Sequence, residues 1–307
     1  MSLSSLLPAM AVLFLIIAVG YAAGKLRIFP DNAAQTLAQL VINVTNPCMV
    51  LYAVLGTERL LSSGEVFLLT GIALGLFALL IPLGILLSGL LRCPKEERNV
   101  YRFFCTMRNL GFLGFPVVSA LYGPNAVFYA SIFNLVMQLV TYTYGEALFR
   151  PGFSRRSISW KSFCTPMILA SLLAYVLYFT DFRAPEILVS VIGSLSGVTS
   201  PLAMLVIGIT LSKVPLRRVF TNWRLYAHEL IRLALVPLAL WALLRGFVGN
   251  PLILGVAVVM CAMPAGTTTA LFAARYRVQE ELAASAVFLS TLLSLATIPL
   301  LMWALFA

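Results

Sequence analysis

The 307-residue sequence predicts an all-α membrane protein: ten transmembrane helices in a five-plus-five inverted repeat, with the fourth and ninth spans broken. Three observations carry that prediction. Long apolar stretches recur from end to end, basic residues gather in alternate loops, and the two halves repeat the same short strings in the same order.

Apolar residues make up 61% of the chain and charged residues 10%, with a mean hydropathy of +0.98. No water-facing surface of this size tolerates that balance. Apolar runs of about 18–25 residues, each long enough to cross about 30 Å of hydrocarbon as a helix, leave no room for a separate soluble domain. The predicted spans are 6–24, 34–55, 65–91, 99–121, 124–148, 163–181, 187–212, 224–246, 251–274 and 282–306. A membrane barrel would instead show alternating segments of about ten residues. Span one has no Lys or Arg before it and Lys25 and Arg27 behind it, the reverse of a cleavable secretory signal, so it is expected to remain.

The net charge of +10 is distributed unevenly. One set of alternate loops holds sixteen basic residues, from Lys25 and Arg27 to Arg275 and Arg277; the other holds only Arg59, Arg183 and Arg245. The positive-inside rule makes the rich side cytoplasmic, places both termini outside and requires an even number of spans. These loops read as topology determinants against anionic lipid, with no nucleic acid as partner. The cysteines at 48, 93, 105, 164 and 261 form no C-x-x-C pair, and the chain has a single histidine. Neither a disulfide, a metal site nor a cofactor is expected.

Val44-Thr45-Asn46-Pro47 in span two is echoed by Val198-Thr199-Ser200-Pro201 in span seven. Pro116 in span four, after a run of glycines, is echoed by Pro264 and Gly266 in span nine. Two matches in order divide the chain into a first repeat at 1–148, a cytoplasmic linker at 149–162 and a second repeat at 163–307. Because five is odd, the second repeat enters the membrane from the opposite side, as in many transporters.

Span four reads Arg108-Asn109-Leu110-Gly111-Phe112-Leu113-Gly114-Phe115-Pro116, and span nine Met263-Pro264-Ala265-Gly266-Thr267-Thr268-Thr269. Glycines together with a proline that lacks an N–H interrupt the helical ladder. Backbone left unpaired at that depth must be buried in protein or line a polar cavity, so two matched breaks predict one shared site. Pro116 and Pro264 are expected to begin the second half-helices, whose N-terminal N–H groups attract anions. Asn46, Asn109, Gly111, Gly114, Gly266 and Thr267 complete the predicted substrate contacts, with Asn43, Thr45, Asn134, Gln138, Thr268 and Thr269 as further polar candidates.

Ionisable groups inside spans need a reason to be there. Three roles fit Arg108: a forked donor to a substrate carboxylate, a side chain snorkelling to the surface, or a partner for Glu146. Glu229 and Arg232 share a helix face at i, i+3 spacing and neutralise each other on one reading; on another, Glu146, His228 or Glu229 carries a proton.

These strings resemble the auxin efflux carrier family, the PIN-like permeases. The resemblance rests on Gly20-Tyr21 with Lys25, Asn46-Pro47, Asn109-x-Gly-Phe-x-Gly-x-Pro116, Pro201-Leu202-Ala203-Met204 through Gly208 and Leu211, Met263-Pro264 with Tyr276, and Ser290-Thr291-Leu292 through Pro299. It implies crossed broken helices, a scaffold and a transport domain, elevator-like alternating access and often a homodimer. It further implies organic-anion substrates, auxin in plants and carboxylates such as malonate or malate in some bacterial members. The short segment 149–162 favours a bacterial-type permease, hence a multi-pass protein of the inner membrane with both termini periplasmic. Two positions depart from the family: Arg277 follows Tyr276 where relatives commonly have glycine, and span two lacks an acid that some plant members use.

The expected function is therefore secondary transport of small mono- or dicarboxylates, with a sodium-coupled carboxylate or bile-acid-type symporter as the alternative. Enzymatic hydrolysis has little to work with, since the chain shows no HExxH, no G-x-S-x-G and no paired intramembrane aspartates.

Overall fold

The computed structural model describes residues 3–150, 163–180, 182–214, 219 and 222–306; their regular structure is helical apart from one isolated backbone bridge. In chain order the helices are α1 (Leu3–Lys25), α2 (Ala33–Leu55), α3 (Ser63–Leu90), α4 (Arg98–Thr106), α5 (Leu110–Tyr122), α6 (Ala126–Phe149), α7 (Pro166–Tyr178), α8 (Glu186–Ser212), α9 (Trp223–Leu244), α10 (Pro251–Ala262), α11 (Thr268–Tyr276) and α12 (Glu280–Phe306). Among the described residues seven of these, α1, α2, α3, α6, α8, α9 and α12, are long and apolar enough to cross a membrane. Helices α5, α7 and α10 are shorter and apolar. The predicted linker lies outside the described residues beyond Arg150, as do Arg217 and Arg218.

The most buried helices are the ones around the breaks. Ten successive residues of α10, from Ile253 to Ala262, are buried, as is most of α6. The long helices α1, α3 and α8 instead expose leucines and isoleucines outward, including Leu15, Leu86 and Ile187. Side chains that hydrocarbon will solvate need no further cover.

Without a hydrophobic force between helices, close backbone approach does the packing, and small residues permit it. Helices α1 and α8 meet this way: a Cβ on Gly208 would lie 2.1 Å from the Ile17 carbonyl oxygen, and one on Gly20 would lie 2.5 Å from that of Leu205. At one end of the bundle, Ser62 and Glu65 cap α3 reciprocally, and Asn250, which caps α10, donates to Glu65 Oε1 at 2.7 Å. The starts of α3 and α10 are thereby tied together.

Four helices contain one wide π-type turn, at Val41–Thr45, Leu110–Gly114, Thr141–Gly145 and Ile231–Leu235. Three of these precede a proline at the second position of the next α-helical stretch, Pro47, Pro116 and Pro237. A proline ring clashes with the carbonyl four residues back, and a wider turn moves that carbonyl aside. Pro201, in contrast, sits inside an uninterrupted α8.

Candidate functional site

The two interruptions fall at residues 107–109, between α4 and α5, and at 263–267, between α10 and α11. This corrects the expected half-helix starts. Pro116 lies inside α5, because the glycine string 110–114 winds as a wide turn, with Gly114 N–H bonded to Asn109 O at 3.0 Å. Likewise Pro264 lies within the break, and α11 begins at Thr268.

The breaks meet backbone to backbone. Asn109 N–H donates to Pro264 O at 2.8 Å and Gly266 N–H to Met107 O at 3.0 Å, forming the antiparallel bridge between Arg108 and Ala265. Gly266 is required by this approach, since a Cβ there would lie 3.0 Å from Arg108 O. Ala265 N–H, buried in the second break, donates to Ser290 Oγ of α12 at 3.0 Å, and Arg108 N–H in the first to Met137 Sδ of α6 at 3.4 Å. Four N–H groups that the interruptions release thus find partners in the opposite break or in neighbouring helices, as burial demands.

Asn109 ends the first break and caps α5: its Oδ1 accepts from Phe112 N–H at 3.3 Å while its Nδ2 has no partner. Asn46 of α2 donates from Nδ2 to Gly111 O at 3.3 Å, leaving its Oδ1 unpartnered. A Cβ on Gly111 would sit 3.3 Å from that same Nδ2, so the glycine admits the amide. Hydroxyls of Thr45, Thr268 and Thr269 are also buried without partners. Thr267 occupies the cap position of α11 but makes no side-chain cap bond. Gly114 lies against Met260 Sδ, which a Cβ there would approach to 3.2 Å.

Two of the three roles expected for Arg108, snorkelling to the surface and pairing with Glu146, are not what the structure shows. Its side chain is 1% exposed and donates from Nη1 to the carbonyls of Cys261 and Met263, leaving Nε and Nη2 without partners. It reaches neither the surface nor Glu146. Arg232 of α9 donates to the same Met263 carbonyl at 3.2 Å and is paired with Glu229 Oε2 at 2.6 Å and 3.1 Å. All three side chains are buried, so two guanidiniums and one carboxylate lie by the second break, the carboxylate bonded to Arg232.

His228 adjoins this group, with Nδ1 4.0 Å from Glu229 Oε1 and the Tyr101 and Phe104 rings against its imidazole. Glu146 is elsewhere, accepting from the Tyr276 hydroxyl and lying 3.5 Å from Arg275 Nη1. The structure thus brings Asn46, Arg108, Asn109, Gly111, Pro264 and Gly266 to one crossing and His228 and Glu229 to its underside, and leaves Glu146 apart. Ser290 was not expected as a site residue; nothing in a lone serine of an apolar span marks the N–H it will meet.

Residues 5–302 match the family described as membrane transport protein. The chain is 23% identical over 303 residues to a protein of Rhizobium meliloti described as "Putative malonate transporter", covering 95% of this chain and 92% of that one. It is 27% identical over 300 residues to an uncharacterized transporter of Methanothermobacter thermautotrophicus, covering 95% of each. With an uncharacterized transporter of Escherichia coli K12 it shares 21% over 313 residues, 97% of this chain and 96% of that one. These relatives are transporters rather than enzymes, and they align end to end. With several apolar spans and a family match over nearly its whole length, this chain is a multi-pass member of the membrane transport protein family, the group of the PIN-like auxin efflux carriers.

Proposed function

We propose that this protein carries small organic anions, mono- or dicarboxylates, by alternating access at the crossing of its two helix breaks. The observation that supports this best is the charge balance there: Arg108 and Arg232 against Glu229 alone, all buried. An unneutralised cation in a low-dielectric interior is costly, and an anion in the neighbouring site would offset it. Unpartnered donors beside it, Asn109 Nδ2 and the hydroxyls of Thr268 and Thr269, suit a carboxylate's acceptor oxygens. The name of the Rhizobium relative points the same way.

In this reading the chain crosses the inner membrane ten times as two inverted repeats, with both termini periplasmic and the basic loops cytoplasmic. The shorter helices α7, α10 with α11, and α4 with α5 then complete the crossings that the seven long helices leave out. Alternating access follows from moving the crossing relative to the α1–α8 pair, and a homodimer through the outward apolar faces is part of the same proposal.

The test is uptake of radiolabelled malonate, and of a panel of mono- and dicarboxylates, into proteoliposomes, with sodium replaced by potassium at constant pH to expose any sodium requirement. Asn109→Ala removes one donor to a charged ligand, worth about 1.5–3 kcal/mol, so kcat/KM is expected to fall about 10- to 100-fold. Wild-type affinity and rate in Asn109→Ala would place the anion elsewhere.

A further inference from the structure

The transport reading counts Glu229 only as a charge and gives no part to its Oε1 or to the buried His228. Both imidazole nitrogens of His228 and Oε1 of Glu229 lack partners, although all three atoms are fully enclosed. Hydrocarbon-buried polar groups rarely stay unsatisfied without a function. Nδ1 and Oε1 lie 4.0 Å apart, so a small side-chain shift would let one proton bridge them.

The surroundings connect this pair in two directions. Toward the crossing, Glu229 grips Arg232, whose Nη1 holds the Met263 carbonyl in the second break. Toward the face that carries the basic loops, the Tyr101 ring covers His228 at 5.5 Å, and the Tyr101 hydroxyl accepts from Asn222 Nδ2 at 3.2 Å. Asn222 and Glu97 line an open cavity of about 300 Å³ on that face, together with Gln279, Glu281 and Ser285. Tyr101 therefore touches both the pair and a residue that lines a polar pocket.

We propose that His228 and Glu229 form a proton-binding pair, supplied from the Glu97–Asn222 pocket past Tyr101, that couples proton movement to anion transport. The inference rests on the transport reading for its second half and on geometry alone for its first. One proton leaves water in the pocket, binds across Nδ1 and Oε1, and returns to water on the other face after the site has moved; nothing is oxidised or reduced.

The groups facing the pair set the sign of the coupling. They are Arg232 on α9, Arg108 at the first break, Tyr101, Phe104 and Cys105 on α4, and Cys261 on α10. The two guanidiniums repel an added proton until an anion arrives at the crossing. Anion and proton then favour each other reciprocally, which is symport in one direction.

His228 is the only histidine in the chain, so ¹⁵N-histidine labelling yields one imidazole signal that needs no variant for its assignment. The probe is the full chain, carrying a histidine-free tag, in lipid bilayers, with and without 10 mM malonate. At equal pH the signal is expected to show more protonated imidazole with malonate than without it, and Glu229→Gln is expected to alter that response. In proteoliposomes, malonate uptake is expected to rise at least fivefold when the source side is made acidic, and His228→Asn to lose that response.

An imidazole signal that malonate leaves unchanged at every pH from 4.5 to 8.5, or a response unaltered by Glu229→Gln, would overturn the pair. The wild-type spectrum decides this even if a variant fails to fold. A titrating pair in a protein that moves none of the carboxylates would support the proton site and remove the anion reading instead. Uptake by His228→Asn that responds to the gradient as wild type does would overturn the coupling.

Discussion

Gly208 and Gly197 lie three turns apart on α8 and predict opposite outcomes for one substitution. A Cβ at 208 would stand 2.1 Å from Ile17 O, 2.6 Å from Tyr21 N and 2.8 Å from Gly20 C, all backbone atoms of α1. No side-chain rotation can relieve such contacts, so the helices must part by about 1 Å to reach ordinary van der Waals separation. A gap of that size forfeits roughly a quarter to half of each dispersion contact along the seam. Overpacking of this kind costs about 1–3 kcal/mol, and backbone on both sides puts Gly208→Ala at about 3.

At 197 the built Cβ meets nothing within 4 Å, so Gly197→Ala gains helix propensity of about 1 kcal/mol. For a chain of this size, about 2 °C per kcal/mol gives a melting midpoint about 6 °C lower for Gly208→Ala and about 2 °C higher for Gly197→Ala. Thermal melts of the detergent-solubilised protein, read by tryptophan fluorescence, measure both. Equal midpoints for Gly208→Ala and wild type would show that α1 and α8 do not meet at this seam.

Arg232→Gln leaves Glu229 buried without its partner and is expected to cost about 3–5 kcal/mol, whereas Arg232→Gln with Glu229→Gln costs much less; melts of the three variants check the coupling. Arg277 caps α11 in the left-handed region, at φ 54° and ψ 44°, where a β-carbon is strained by about 1–2 kcal/mol. Arg277→Gly is therefore expected to raise the melting midpoint by about 2–4 °C. Cys164 is exposed at the start of the segment leading into α7, beside the basic linker. A membrane-impermeant maleimide is expected to label it in inside-out vesicles and not in right-side-out ones; the reverse pattern would invert the proposed topology.

Helix positions were legible because solvent dictates them: apolar runs of fixed length have one use in a bilayer, and the predicted 187–212 and 34–55 differ from α8 and α2 by a residue. The existence of the two breaks was equally legible, from glycine and proline in apolar surroundings. Their placement was not, because a wide turn at 110–114 absorbs the glycines and Pro116, and moves the interruption to Arg108. What Arg108 does depends on carbonyls of α10 far along the chain, which no local pattern encodes. The glycine that the family resemblance leads one to expect after Tyr276 would suit this position, since the Arg277 backbone holds the conformation glycine adopts freely.

The crossing has a mechanical corollary. Asn109 and Gly266 each give their amide hydrogen to the other strand, and Arg108 staples its own strand to the carbonyls opposite. Prising the strands apart would strand those groups in oil, at about 1–3 kcal/mol for each orphan. Under the proposed alternating access, both strands, with α4, α5, α10 and α11, would therefore move as a single riveted carriage, and the compliance would lie in the seams around it.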